Sequence, residues 1–214
     1  MREKLVIVGA GGHGRVVADI ARLSSRYTQI VFADDIATGL FDGQEIVGTT
    51  AEVINDESVR NDSDVFIAVG NCSKRKKLTE LFWRNGFCIA TLIHPKSVIA
   101  SNVVINEGTV VMANAVINSG SIIGRGVIVN TAATIDHDNE ISDFVHISSG
   151  VHISGTVKIG SGTWVGVGTI VSNNQSICDD CIIGAGTVVV RDITEKGTYV
   201  GVPAKKIKDF EVAD

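Results

Sequence analysis

Several things that commonly announce a function are scarce in this chain. No charge of one sign is in surplus: 19 Lys and Arg stand against 24 Asp and Glu, a net charge of −5. That balance lacks the basic excess of a nucleic-acid-binding surface. Long apolar runs are missing too. The opening "LVIVGAGG" is short and ends in glycine, so it predicts a buried strand rather than a membrane span. No cationic stretch leads into an apolar one as a secretory leader requires. The expected setting is therefore the cytoplasm, without membrane insertion. Only 20% of residues are charged and 44% are hydrophobic, which excludes a disordered chain. Prolines number 2 and aromatics make up 5%, whereas glycines number 23. Glycine-rich, aromatic-poor composition suits a fold of tight, repeated corners.

Cysteine is sparse as well, at four residues. Cys178 and Cys181 form a CxxC, but no further zinc ligands lie nearby in the sequence. A redox CxxC belongs at a helix N-terminus, and this one falls inside a repeat. Reduced, structural cysteines are expected.

What is present divides the chain near residue 93, into 1–92 and 93–214. Residues 1–92 alternate strand and helix. "KLVIVGA", "QIVFADD", "DVFIAVGN" and "CIATLIHP" are apolar, β-branched segments. Between them, "GRVVADIARLSS" and "SKRKKLTELFWRNGF" carry helical spacing, and Gly86 is placed to stop the second helix. Such alternation predicts a small Rossmann-like parallel sheet with right-handed crossovers. Residues 36–60 predict a loop, a short strand near Ile46–Val47, and then a helix.

From residue 93 the rule changes. Every sixth residue from Ile93 to Val189 is Ile or Val, without a gap. Two positions earlier the residue is usually small or β-branched, as at Ala133, Val145 and Thr163. This is a hexapeptide repeat, the signature of a parallel β-helix solenoid. The aliphatic residues point inward and small residues turn the corners.

Two groups of residues carry chemistry. "GAGGHG" is Gly9-x-Gly11-x-x-Gly14 between a strand and a helix, with Asp34 and Asp35 at the end of the next strand. Taken alone this is a dinucleotide fingerprint and points to NAD. Only about 90 residues precede the repeat, however, and four strands make a mononucleotide-sized half. The second group is "TIDHDNEISDFVHISSGVHISG", which holds three of the five histidines: His137, His146 and His152. None falls on an inward position of the repeat. The open readings are an inert surface, a zinc site, or a general base. Histidine titrates near neutral pH and suits proton removal from an attacking amine or hydroxyl, and His137 has Asp136 and Asp138 beside it.

Seven segments together, "GAGGHG" (9–14), "FADD" (32–35), "AVGN" (68–71), "LIHP" (92–95), "NTAATIDHD" (130–138), "HISSG" (146–150) and "GVPAK" (201–205), resemble the hexapeptide-repeat acyltransferases. More narrowly, they resemble the bacterial nucleotide-sugar N-acetyltransferases of the PglD type. The resemblance implies a Rossmann-like domain followed by a left-handed parallel β-helix, a homotrimer, and acetyl-CoA as co-substrate with no metal. It makes His137 the general base and Asp138 the acid that raises its basicity. It places His146, Val167, Gly184 and Ala185 on acetyl-CoA, with Lys205 or Lys206 near a coenzyme phosphate. Gly11, Gly12, His13, Asp34, Asp35, Gly70, Asn71 and Asn130 would bind the nucleotide sugar, assisted by Arg75 and Lys76 unless these merely solvate a helix. His152 receives no role. The implied reaction acetylates the 4-amino group of a UDP-4-amino-4,6-dideoxy sugar, giving UDP-N,N′-diacetylbacillosamine from UDP-2-acetamido-4-amino-2,4,6-trideoxyglucose. Sialic acid O-acetylation and a GDP-4-amino-sugar acceptor are the near alternatives. A zinc hydratase and a non-catalytic scaffold are the distant ones.

Overall fold

The computed structural model describes residues 2–208. These form two compact units, the first ending at Pro95 and the second beginning at Lys96.

The first unit contains β1 (Lys4–Val8), α1 (Gly12–Leu23), β2 (Gln29–Ala33), a hairpin of β3 (Leu40–Phe41) and β4 (Gln44–Glu45), α2 (Thr50–Asn55), α3 (Glu57–Asp62), β5 (Ser63–Ile67), α4 (Cys72–Arg84) and β6 (Cys88–Ile89). Four strands form a parallel sheet in the order β2-β1-β5-β6. Strands buried on both faces need continuous aliphatic runs, and Leu5 to Val8, Val31 to Ala33 and Val65 to Ile67 supply them at 7% exposure or less. Helix α1 buries Val17, Ala18, Ile20 and Ala21. Helix α4 is capped by Asn71, whose side chain accepts the Lys74 N–H at 2.9 Å. Gly86 follows its end at φ +80°, the left-handed stop expected of it. Residues 36–60 hold two short helices rather than one. Thr49 and Glu52 form a reciprocal capping box at the first, and Asp56 caps the second.

The second unit is a left-handed β-helix with three faces of two-residue parallel strands. The first face carries Val110–Val111, Ile128–Val129, His146–Ile147, Trp164–Val165 and Ile182–Ile183. The second carries Val98–Ile99, Val116–Ile117, Thr134–Ile135, His152–Ile153, Ile170–Val171 and Val188–Val189. The third carries Val104–Ile105, Ile122–Ile123, Glu140–Ile141, Lys158–Ile159 and Ser176–Ile177. The second residue of each strand points inward, and from Val111 onward these residues are essentially fully buried. Ile93, which opens the run of aliphatic residues in the sequence, is instead 40% exposed.

One coil is 18 residues, so a residue sits beside those 18 before and after it. At the corners, every sixth residue from Gly108 to Gly186 has a positive φ, glycine or not. Asp138, at φ +56°, is one of them.

Candidate active site

Three places gather the residues singled out by sequence. The corner joining the second and third faces presents His137. Its Nδ1 lies 2.9 Å from Asp138 Oδ2. Asp138 reaches back because the solenoid imposes a left-handed backbone there, a conformation that Asp tolerates better than most residues. The turn is braced from several sides. Buried Asn139 donates to the Asp136 carbonyl at 2.6 Å and to the His137 carbonyl at 3.3 Å. Buried Ser121 donates to the same Asp136 carbonyl at 2.7 Å. The Thr156 N–H donates to the His137 carbonyl and the Asp138 N–H to the Ser119 carbonyl, at 3.0 and 2.9 Å. Asn118 donates to Asp136 Oδ1 at 3.0 Å, and that oxygen also accepts the His137 N–H at 2.9 Å.

The hydrogen bond to Asp138 raises the His137 pKa above its ordinary value. Partial burial opposes this, and the negative charges of Asp136 and Asp138 add to it. With an Nδ1–H donated to Asp138, Nε2 carries the lone pair. The side chain is 57% exposed, so the ring can be reached from solvent. An imidazole held this way by a carboxylate can serve as a base, the logic of a catalytic triad without its nucleophile.

The corner joining the first and second faces gathers a different set. Asn130, Ser148, Gly166 and Gly184 occupy equivalent positions in successive coils, and so do Val167 and Ala185, the latter two exposed. His146 points outward from the first face and is half-buried. Its Nε2 is 3.4 Å from the Asn130 Nδ2, and its ring stacks on Trp164 at 5.7 Å and 5°. Trp164 Nε1–H in turn donates to Ser148 Oγ at 2.9 Å. A side chain at Gly184 would meet Val200 Cγ1 at 2.7 Å, so the strip is kept bare by close packing. His152 points outward from the second face and pairs with Thr134 Oγ1 at 2.8 Å. The three histidines thus stand on a corner, the first face and the second face. Among the described residues no three His, Cys, Asp or Glu side chains gather as a metal site would require. Lys205 is exposed, and Lys206 pairs with Glu195 at 3.0 Å. The Cys178 and Cys181 thiols are unbonded, 3.4 Å apart, and burial with the neighbouring thiol pushes Cys181 up to about 12.

In the first unit, the loop after β1 lies where the sheet order reverses, between β2 and β5, at the strands' C-terminal ends. Gly9, at φ +113°, passes so close to the Ala68 carbonyl that a Cβ would sit 2.9 Å from its oxygen, and a Cβ at Gly14 would drive into the Gly9 carbonyl. Gly11 and Gly12 have nothing within 4 Å of that position. They open the N-terminus of α1, whose first amides are suited to a phosphate, and His13 follows in its first turn. Asp34 accepts the N–H groups of Ala10, Ile36 and Ala37 at 2.8 to 2.9 Å. Partial burial would raise its pKa, but these three bonds prevail and lower it. Asp35 accepts the Thr50 N–H at 2.8 Å. Both carboxylates therefore brace the loops at the C-terminal end of β2. Gly70 and Asn71 end the opposite strand's loop.

Arg75 corrects the reading of a solvated helix cation. It is 1% exposed and donates from Nη1 to the Val69 and Gly70 carbonyls, at 2.9 Å each. It holds the "AVGN" loop from beneath, while Lys76 is exposed. Arg75→Met leaves both carbonyls without this donor. It is expected to lower unfolding free energy by about 2–4 kcal/mol, measured by urea denaturation.

Sequence reasoning missed Trp164, Asn139 and Ser121. Trp164, one of two tryptophans on an outward position, was the visible signal.

The solved acetyltransferase domain of PglB from Neisseria gonorrhoeae FA1090 matches with a TM-score of 0.94 and 41% identity, over 96% of this chain and 100% of that one. This chain belongs to the PglD-type family. That family consists of acetyl-CoA-dependent sugar N-acetyltransferases. A family profile described as the PglD N-terminal domain matches residues 4–82. The same gonococcal domain in complex with acetyl coenzyme A matches at 40% identity and a TM-score of 0.93, over 97% of this chain and 100% of that one. A His→Asn variant of perosamine N-acetyltransferase from Caulobacter crescentus, in complex with CoA and GDP-perosamine, matches at 34% identity and a TM-score of 0.91, over 96% of this chain and 97% of that one. UDP-N-acetylbacillosamine N-acetyltransferase of Bacillus subtilis (strain 168) is 36% identical over 107 residues, so the match spans about half the length of each chain. Among the described residues no helix is long and apolar enough to cross a membrane.

Proposed function

We propose that this PglD-type chain transfers the acetyl group of acetyl-CoA to the 4-amino group of a UDP-4-amino-4,6-dideoxy sugar. The acceptor is UDP-2-acetamido-4-amino-2,4,6-trideoxyglucose and the product UDP-N,N′-diacetylbacillosamine. The observation that carries the reading is the His137 Nδ1–Asp138 Oδ2 contact of 2.9 Å on a side chain that is 57% exposed. The amine nitrogen attacks the thioester carbonyl carbon and its proton passes to His137 Nε2. Collapse of the tetrahedral adduct breaks the C–S bond, and the leaving thiolate takes that proton. Backbone N–H groups stabilise the oxyanion. No acyl-enzyme is needed.

In the first unit, the amides of Gly11, Gly12 and His13 receive the diphosphate, and Asp34, Asp35, Gly70 and Asn71 border the nucleotide. Acetyl-CoA lies along the strip of His146, Val167, Gly184 and Ala185, beside Asn130. Within one chain this strip and His137 stand at opposite edges of the second face. A complete site therefore takes its base from one β-helix and its coenzyme strip from another, as a homotrimer provides. The reaction belongs in the cytoplasm, where acetyl-CoA is supplied.

A GDP-4-amino sugar is the second reading, favoured by the GDP-perosamine bound in the C. crescentus relative. The test is thiol release from acetyl-CoA with three acceptors: the UDP-4-amino-trideoxy sugar, GDP-perosamine and sialic acid. Release with the UDP sugar in clear excess of the others supports the proposal. Preference for GDP-perosamine replaces the acceptor. Silence with all three on folded protein refutes acetyl transfer to these classes.

A further inference from the structure

We propose that Gly155 is a positioning residue: the missing side chain at 155 is the seat in which the His137 imidazole lies. The proposal rests on the reading of His137 as the base. Gly155 is 18 residues after His137, and therefore one coil on, directly beside it in the stack. The two coils are tied there by the Thr156 N–H donating to the His137 carbonyl at 3.0 Å. A Cβ at 155 would stand 2.5 Å from both Cε1 and Nε2 of His137 and 3.1 Å from Nδ1. No rotation of a methyl group relieves this, because three ring atoms meet it at once. Either the ring or the coil must move, and the ring is the softer of the two, since its side chain is 57% exposed.

Backbone geometry does not demand glycine at 155. Gly155 is not one of the positive-φ residues, and the same hexapeptide position elsewhere carries Arg125, Thr131, Asp143 and Ser161. The repeat thus tolerates side chains here in other coils. The special feature of this coil is the imidazole lying against it. The companion carboxylate is seated likewise: a Cβ at Gly120, 18 residues before Asp138, would drive into Asp138 Oδ1. Gly120 has φ +76°, so replacing it strains the backbone regardless of Asp138. Gly155 is the clean probe.

The experiment compares wild type, Gly155→Ala, His137→Ala and the double variant in the full chain. Three things are measured: kcat and KM against pH, the His137 titration by imidazole NMR, and the denaturation midpoint. Gly155→Ala is expected to lower kcat on the order of 10–100-fold, with KM for acetyl-CoA within about threefold of wild type. The His137 pKa falls toward that of a free imidazole as the ring swings off Asp138. Any loss of stability from Gly155→Ala disappears when His137→Ala has removed the ring, the coupling that a double-mutant cycle reads. An unchanged kcat together with an unchanged His137 titration overturns the proposal. So does an equal stability loss in both backgrounds, which would mean that the coil, not the ring, meets the methyl group. Wild-type turnover by His137→Ala would sink the base reading alone. The titration and the stability cycle would still decide whether Gly155 seats the ring.

Discussion

His137→Ala lowers kcat by about 10²–10⁴-fold, the range over which a positioned general base acts, and leaves the fold intact. The imidazole is not part of the β-helix core, which is built from the inward aliphatic column of Ile123, Ile135, Ile141 and their equivalents. Its removal creates no internal cavity, so circular dichroism and the melting temperature stay at wild-type values. KM for acetyl-CoA changes little, since in the proposed reaction His137 takes the proton of the amine and is not among the residues that hold the coenzyme. Steady-state kinetics over a pH series checks this. The residual rate of the variant loses the acidic limb that His137 imposes, because the titrating base is gone. Turnover near wild type would remove His137 from the reaction.

Asp138→Asn should move that limb and lower the plateau. In the proposed reaction His137 acts as a base only when neutral, so the rate is expected to rise with pH as the imidazole loses its proton. The Asp138 hydrogen bond is the largest cause of the raised His137 pKa, which places the limb above the ordinary histidine value. Removing the carboxylate charge shifts the limb to lower pH. The plateau falls about 10–10²-fold, because an amide no longer enforces the tautomer with its lone pair on Nε2. Asn accepts the left-handed conformation that Asp138 holds at φ +56°, so the corner survives the exchange. A limb that stays in place would mean that Asp138 does not set the His137 pKa. A limb displaced upward would contradict the electrostatic sign.

The fold was legible because one period repeats in it without interruption. A hexapeptide that always returns Ile or Val assigns every side chain a direction, and from that alone His137, His146 and His152 point outward. The corners were legible only in part: the repeat marks small residues such as Ala133 as the turning positions, whereas the positive φ falls one residue earlier in each repeat, at the position Asp138 holds. Contacts between coils were not legible. The sequence shows a period of 6, whereas neighbours in space are 18 apart, and which residues of adjacent coils touch depends on side-chain conformation. Gly155 under His137, Asn118 on Asp136 and Trp164 on His146 all have this separation or close to it. In the first unit the amphipathic pattern of α4 identified a helix, yet did not show that Arg75 is buried. A cation on a lysine-rich helix resembles a solvated one until the Val69 and Gly70 carbonyls are seen beneath it. The acidic pair at 34 and 35 was read for ligand binding alone, because backbone N–H groups that occupy a carboxylate leave no mark in a sequence.

Transfer between a base on one chain and coenzyme held by another is tested most directly by mixing two inactive variants. His137→Ala removes the base, and Ala185→Trp blocks the exposed coenzyme strip. Each alone is expected to be nearly inactive. The two are co-expressed under different tags, and assemblies carrying both tags are assayed for thiol release with acetyl-CoA and the UDP-4-amino sugar. Each hybrid trimer pairs an intact His137 with an intact strip on a neighbouring chain at one of its three interfaces, so about one third of the wild-type rate returns in the assemblies that carry both tags. Assemblies that hold both tags yet stay as inactive as the parents would place base and coenzyme on the same chain and contradict the shared site.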